Sequence, residues 1–205
     1  MAEQLTEHSE TEPEEPLEAV EPDEPEEAEL DPEVAARRAA ALVHVRKFGD
    51  PVLRTKARRV DRFDDALRGE IDRMSQLMND AIGVGLAATQ VGVLNRVLVY
   101  RVQQHAAVAA LVNPELEWAG KAEEIAEEGC LSLPAVHVEV ERPVYIRVRG
   151  QNEHGEEITV EASGLEARVI QHEMDHLDGV LILDRISRQQ RKEAMRALNE
   201  ALQAA

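Results

Sequence analysis

The chain has 205 residues, with 41 Asp and Glu against 23 Lys and Arg and a formal charge of −18, a size that suits one domain with an appendage and a balance that excludes a basic nucleic-acid footprint. No apolar run approaches the ~18 residues of a membrane span, and no basic segment followed by an apolar one opens the chain, so the sequence reads as cytoplasmic, with neither membrane nor DNA as partner. Its single cysteine, Cys130, excludes an intrachain disulfide and fits a reducing compartment.

The charge is unevenly spread. Residues 1–33 hold 15 of the acids, five prolines and no Lys or Arg. Such a segment buries too little apolar surface to offset the entropy of ordering it, so it reads as a disordered acidic arm. Residues 34–205 are only about three charges negative and form the folded unit. Leu42 to Arg46 alternates weakly, as a strand does, and Gly49-Asp50-Pro51 turns the chain. Asp64 or Asp65 caps a helix whose Leu67, Ile71, Met74 and Met78 make one apolar stripe.

Gly83-Val-Gly-Leu-Ala-Ala-Thr-Gln90 follows. Its two glycines allow a backbone to approach closely, whether another strand or a ligand. It is no dinucleotide fingerprint, since Ala88 stands in place of the third glycine and the segment follows a helix. Arg96 to Val102 is a strand rich in β-branched residues. Leu111 to Pro114 resumes extended structure and stops at the proline. Val136 to Val140, Val144 to Arg149 and Ile158 to Ala162 alternate as antiparallel strands buried on one face, with a turn at Asn152 to Gly155. Ser163 and Gly164 start a helix, with Ser163 as cap, and Gly179 ends it. A last helix from Ser187 carries Met195, Leu198 and Leu202 on one side and Arg188, Arg191, Lys192 and Arg196 on another.

The chemistry centres on Gln171-His-Glu-Met-Asp-His-Leu-Asp-Gly179. His172 and His176, four apart on a helix, share one face and can converge on one ion. Glu173 can reach a water on that ion without ligating it. Asp175 or Asp178 is an expected acceptor for the far nitrogen of a ligand imidazole. A third ligand leaving one open position is supplied by the thiolate of Cys130, within Glu128-Gly-Cys-Leu-Ser132. The carboxamide of Gln90 and the backbone N–H of Leu131 are expected to hold an oxyanion. Together these residues point to metal-assisted amide hydrolysis.

The stretches 83–90, 128–132 and 171–176, in that order, resemble the three signature motifs of the peptide deformylase family, and the resemblance runs from about Leu42 to the C-terminal helix. It implies an α+β fold with antiparallel sheets around a central HExxH-bearing helix, plus a C-terminal helix. It implies removal of the formyl group from the N-terminal methionine of new polypeptides. The metal ligands would be Cys130, His172 and His176, the acid/base Glu173, and the oxyanion donors Gln90 and Leu131. The ion would be Fe²⁺ in the cell, with Zn²⁺ or Ni²⁺ as alternatives. A methionine pocket would be lined by Val84, Ala126, Leu165, Val169 and the apolar side of His172, with the peptide lying as an added strand against Val84 and Gly85. Gly129 and His137 fall on the substrate side, His137 standing where relatives carry an arginine. Arg168 is expected to snorkel at the pocket rim or to narrow the pocket. The C-terminal helix would dock on the ribosome near the tunnel exit. The acidic arm is not a family feature.

Overall fold

The structure, a computed structural model, describes residues 30–103 and 105–204. The expected disordered arm lies outside these residues up to position 29. Its last residues begin helix α1 (Pro32–Leu42), where the side chain of Asp31 accepts from Glu33 N–H and Pro32 occupies the first turn, a position that needs no N–H donor. Residues 42–46, expected as a strand, are instead the end of α1 and a turn, with His44 N bonded to Ala41 O at 3.0 Å. The alanine-rich run before them carries the helix into Leu42, the first residue of the weak alternation.

Helix α2 (Asp65–Asp80) is capped by Asp64, which accepts from the N–H groups of Ala66 and Leu67. Seven strands follow: β1 (Gly85–Ala87), β2 (Val97–Tyr100), β3 (Ala109–Ala119), β4 (Glu123–Cys130), β5 (Leu133–Pro143), β6 (Tyr145–Gln151) and β7 (Glu157–Ser163), then helices α3 (Gly164–Leu177) and α4 (Arg188–Ala204). A five-stranded antiparallel sheet has the order β1-β2-β3-β6-β7, and β4-β5 is a separate hairpin. This is the α+β architecture expected.

Strand β2 explains the layering. Its alternate residues face opposite ways, so Leu98 and Tyr100 pack with Ile170, Met174 and Leu177 of α3, while Val97 and Val99 pack with Met74 and Met78 of α2. Both faces being covered, the strand is apolar throughout. A further core joins Val136, Val138 and Val140 of β5 to Ala194 and Leu198 of α4. Leu202, expected in that stripe, is 40% exposed. Helix α3 is thus enclosed by the sheet and the hairpin, with ten of its residues buried.

One further strand expectation changes, and one strand was not foreseen. Pro114 does not end β3; the register shifts between Val112 and Glu115 and Asn113 takes φ 56°. The Asn113 carboxamide exchanges hydrogen bonds with the backbone of Val60 at 2.7 and 2.9 Å, so the bulge is satisfied and the strand continues. Strand β4, carrying Cys130, was not legible as a strand because five of its eight residues are Glu or Gly, types depleted in sheets.

Candidate metal centre

The N–H groups of Gly179 and Val180 turn back onto His176 O and Asp175 O, closing α3 with Gly179 at φ 75° in the paired-bond arrangement favoured by a left-handed glycine. Ser163 occupies the N-cap position but its side chain makes no capping bond. One turn of this helix stacks His172 over His176, ring centroids 5.0 Å apart. The β4-β5 hairpin brings Cys130 to the same point: Sγ lies 3.2 Å from His176 Nε2, and one ligand atom from each of Cys130, His172 and His176 lies within 4.8 Å of the others. Ligand bonds of 2.0–2.3 Å around a tetrahedral ion require separations of roughly 3.5 Å, so the three side chains fit one small divalent ion with little movement.

The acceptor that fixes His172 is neither Asp175 nor Asp178. His172 Nδ1 is 3.0 Å from Glu128 Oε2, which leaves Nε2 for an ion. Glu128 is buried and also accepts from Arg142 at 2.6 and 2.9 Å and from Arg168 at 2.8 Å. Burial opposes its charge, yet the bonds to His172 and Arg142 hold its carboxyl down to about 2. Asp175 instead pairs with Arg142 and Arg185, and Asp178 with Arg96 and Lys56. Arg168 does not snorkel at the rim: it is 7% exposed and bonded to Val140 O and Glu124 O.

Burial also opposes a Cys130 thiolate, but the charge of His176 and bonds to both imidazoles bring the thiol well below its ordinary value. A thiolate is the ligating form. Glu173, on the same helix turn, is 4% exposed. Burial raises its carboxyl pKa against the opposing pull of His172 and His176, and Oε2 has no hydrogen-bond partner among the described residues. Gly85 makes room for it: a Cβ there would stand 2.9 Å from Glu173 Cγ and Cδ. Gln90 accepts at Oε1 from Ala87 N–H, 2.9 Å, which turns its NH₂ group toward Ser132 Oγ at 3.3 Å and Cys130 Sγ at 3.7 Å.

A cleft of about 550 Å³ opens beside these groups. Val84, Gly85, Gln90, Gly129, Leu131, His137, Leu165, Val169, His172 and Glu173 all line it. Ala126 is not among the lining residues, and His176 lies deeper, 1% exposed. Leu165 and Val84 are 56% and 48% exposed, apolar side chains facing an open groove. The residues that sequence reasoning missed are Glu128 as the His172 anchor, Arg142 as its counter-charge, and the cleft-lining Lys47 and Arg38.

A family model described as Polypeptide deformylase matches residues 42–192. The chain is 51% identical over 145 residues to a peptide deformylase of Thermotoga neapolitana, covering 71% of this chain and 87% of that one. It is 50% identical over 157 residues to one of Acidothermus cellulolyticus, covering 77% and 86%. Among solved structures, the peptide deformylase of Synechococcus elongatus in complex with actinonin superposes with a TM-score of 0.72 at 44% identity, over 74% of this chain and 85% of that chain. That of Thermotoga maritima superposes with a TM-score of 0.67 at 50% identity, over 70% and 96%.

Proposed function

The chain belongs to the peptide deformylase family, metal-dependent hydrolases that remove the N-formyl group from nascent peptides, and from that premise we propose that Cys130, His172 and His176 hold one divalent ion with Glu173 as the acid/base beside it. The observation that carries the reading is the isolation of Glu173. Other buried carboxylates near it are tied to arginines, while this one keeps an oxygen without a partner next to three converging ligands. A carboxylate spared from structural duty is what proton transfer requires.

A divalent ion held by Cys130, His172 and His176 would supply Lewis acidity toward a water. Glu173 would take a proton from the water that attacks the formyl carbon and return it to the departing amine. Its raised pKa favours the protonated form needed for the return. The Gln90 NH₂, aimed by Ala87, and the Leu131 N–H hold the oxyanion, each worth ~3 kcal/mol when correctly placed.

The methionine side chain packs on Val84, Leu165, Val169 and the apolar side of His172. The peptide backbone adds as a strand to Val84 and Gly85, with Gly129 and His137 also on the substrate side, a mode that tolerates varied downstream residues. Fe²⁺ is the ion in the cell, Zn²⁺ or Ni²⁺ being able to replace it, and thiolate ligation makes the Fe²⁺ form prone to oxidation. The enzyme works in the cytoplasm, residues 34–205 forming the catalytic unit. Helix α4 approaches the ribosome near the tunnel exit with Arg188, Lys192 and Arg196, which line a shallow surface groove. Arg191 is engaged with Asp184 at 3.2 Å. No helix of the described residues is long and apolar enough to cross a membrane.

The test is formate release from a formyl-methionyl tripeptide under anaerobic conditions with Fe²⁺ or Ni²⁺. Glu173→Ala should lower turnover by about 10²–10⁴-fold with metal content unchanged. Equal turnover in the two proteins would refute the acid/base assignment.

A further inference from the structure

Helix α1 is almost wholly outside the segment 42–192 that matches the family, yet Arg38 and Leu42, four apart on one helical face, both line the cleft together with Lys47 and Leu131. An ion pair between Arg37 and Asp80, 3.5 Å, ties α1 to the end of α2. Lys47 donates from Nζ to Leu131 O at 2.9 Å, one residue from Cys130, so its charge stands close to the proposed centre. Burial depresses the Lys47 ammonium, with Cys130 opposing and Arg38 adding to the effect.

Among the described residues, Arg38 and Lys47 have no carboxylate within 4.0 Å, whereas Arg37, Arg46 and Arg54 each have one. The carboxylates of the cleft are otherwise committed. Glu128 is held by two arginines and Glu173 stands beside the histidines, leaving Glu127 as the exposed acid of the lining. Two cations without a carboxylate partner among the described residues, on the wall of a groove that takes a peptide, favour a negative group on that peptide. The planar guanidinium can grip a carboxylate at two points while the ammonium adds a compact charge.

We propose that α1 adds a carboxylate-accepting subsite to the cleft, Arg38 with Lys47, which selects peptides bearing Asp or Glu shortly downstream of the methionine. This rests on the cleft being the deformylase substrate groove. The α-carboxylate of a short peptide offers the same chemistry, so the test separates the two sources.

The full-length, metal-loaded protein is assayed for formate release with C-terminally amidated formyl-Met-X-Ser and formyl-Met-Ala-X, where X is Glu, Gln or Lys, and with formyl-Met-Ala-Ser as free acid and as amide. At low salt the Glu peptide should exceed the Gln peptide by about five-fold in kcat/KM, as an exposed ion pair allows, with the difference residing in KM. The Lys peptide should be poorest, and the spread should shrink at high ionic strength. Arg38→Glu should reverse the order. Each ratio is taken within one protein, so a loss of folded fraction cancels. Equal kcat/KM for Glu, Gln and Lys peptides, an order unmoved by Arg38→Glu, or a preference seen only with the free C-terminus would overturn the subsite. No formate from any formyl peptide would instead overturn the deformylase reading beneath it.

Discussion

Arg142 occupies the inward parity of β5, continuing Val136, Val138 and Val140, and it is 4% exposed. That alternation is legible in the sequence, and extending it by one step would have put a guanidinium inside the fold in need of a buried carboxylate. Glu128 meets that need, on the same parity of β4 as Cys130. The convergence of His172 and His176 was legible because helical spacing fixes which histidines share a face, whereas the anchor of His172 comes from a strand 44 residues away, a relation no local pattern encodes. Breaking such a buried pair costs about 3 kcal/mol or more, so Glu128→Gln should lower the unfolding free energy by about that much and weaken metal binding about 10- to 100-fold. The pH dependence follows from the sign of its shift. A carboxyl held at about 2 against an ordinary 4.5 contributes stability that is fully present above 4.5 and is lost as pH falls through about 2. Urea unfolding across that window should show wild type losing stability more steeply than Glu128→Gln; parallel curves would remove Glu128 as the source.

Helices α2 and α3 followed from apolar spacing and terminal residues, because those signals are local. The β3 bulge and strand β4 did not. Asn113 satisfies the backbone of Val60, 53 residues distant, and so overrides the proline rule, while β4 is held by pairing with β5 despite its glutamates. At the end of α3, Gly179 has two reasons to be glycine: φ is 75°, and a Cβ would lie 2.8 Å from Arg54 O. The αL penalty of roughly 1–2 kcal/mol then adds to a backbone clash. Gly179→Ala should lower the unfolding free energy by about 2 kcal/mol or more, read by denaturant titration. A change below about 0.5 kcal/mol, the range of neutral surface substitutions, would show that the helix end can shift without cost.

In the whole molecule the centre lies where separately built parts meet: α3, packed on the five-stranded sheet, and the β4-β5 hairpin, packed on α4. The two histidines come from one and Cys130 from the other, so a shared ion would pin hairpin to helix. Binding to the folded state alone raises stability, by ~2.7 kcal/mol at a hundredfold excess over Kd. Chelation should therefore lower the Tm of wild type and leave that of Cys130→Ser nearly unchanged; equal shifts would place the ion elsewhere.

The most direct measurement of the three-ligand centre is X-ray absorption at the metal edge of the zinc-loaded protein. One sulfur near 2.3 Å with two imidazole nitrogens and one further light atom near 2.0–2.1 Å is the expected first coordination sphere. A sphere without sulfur, or with a single imidazole, would contradict the account.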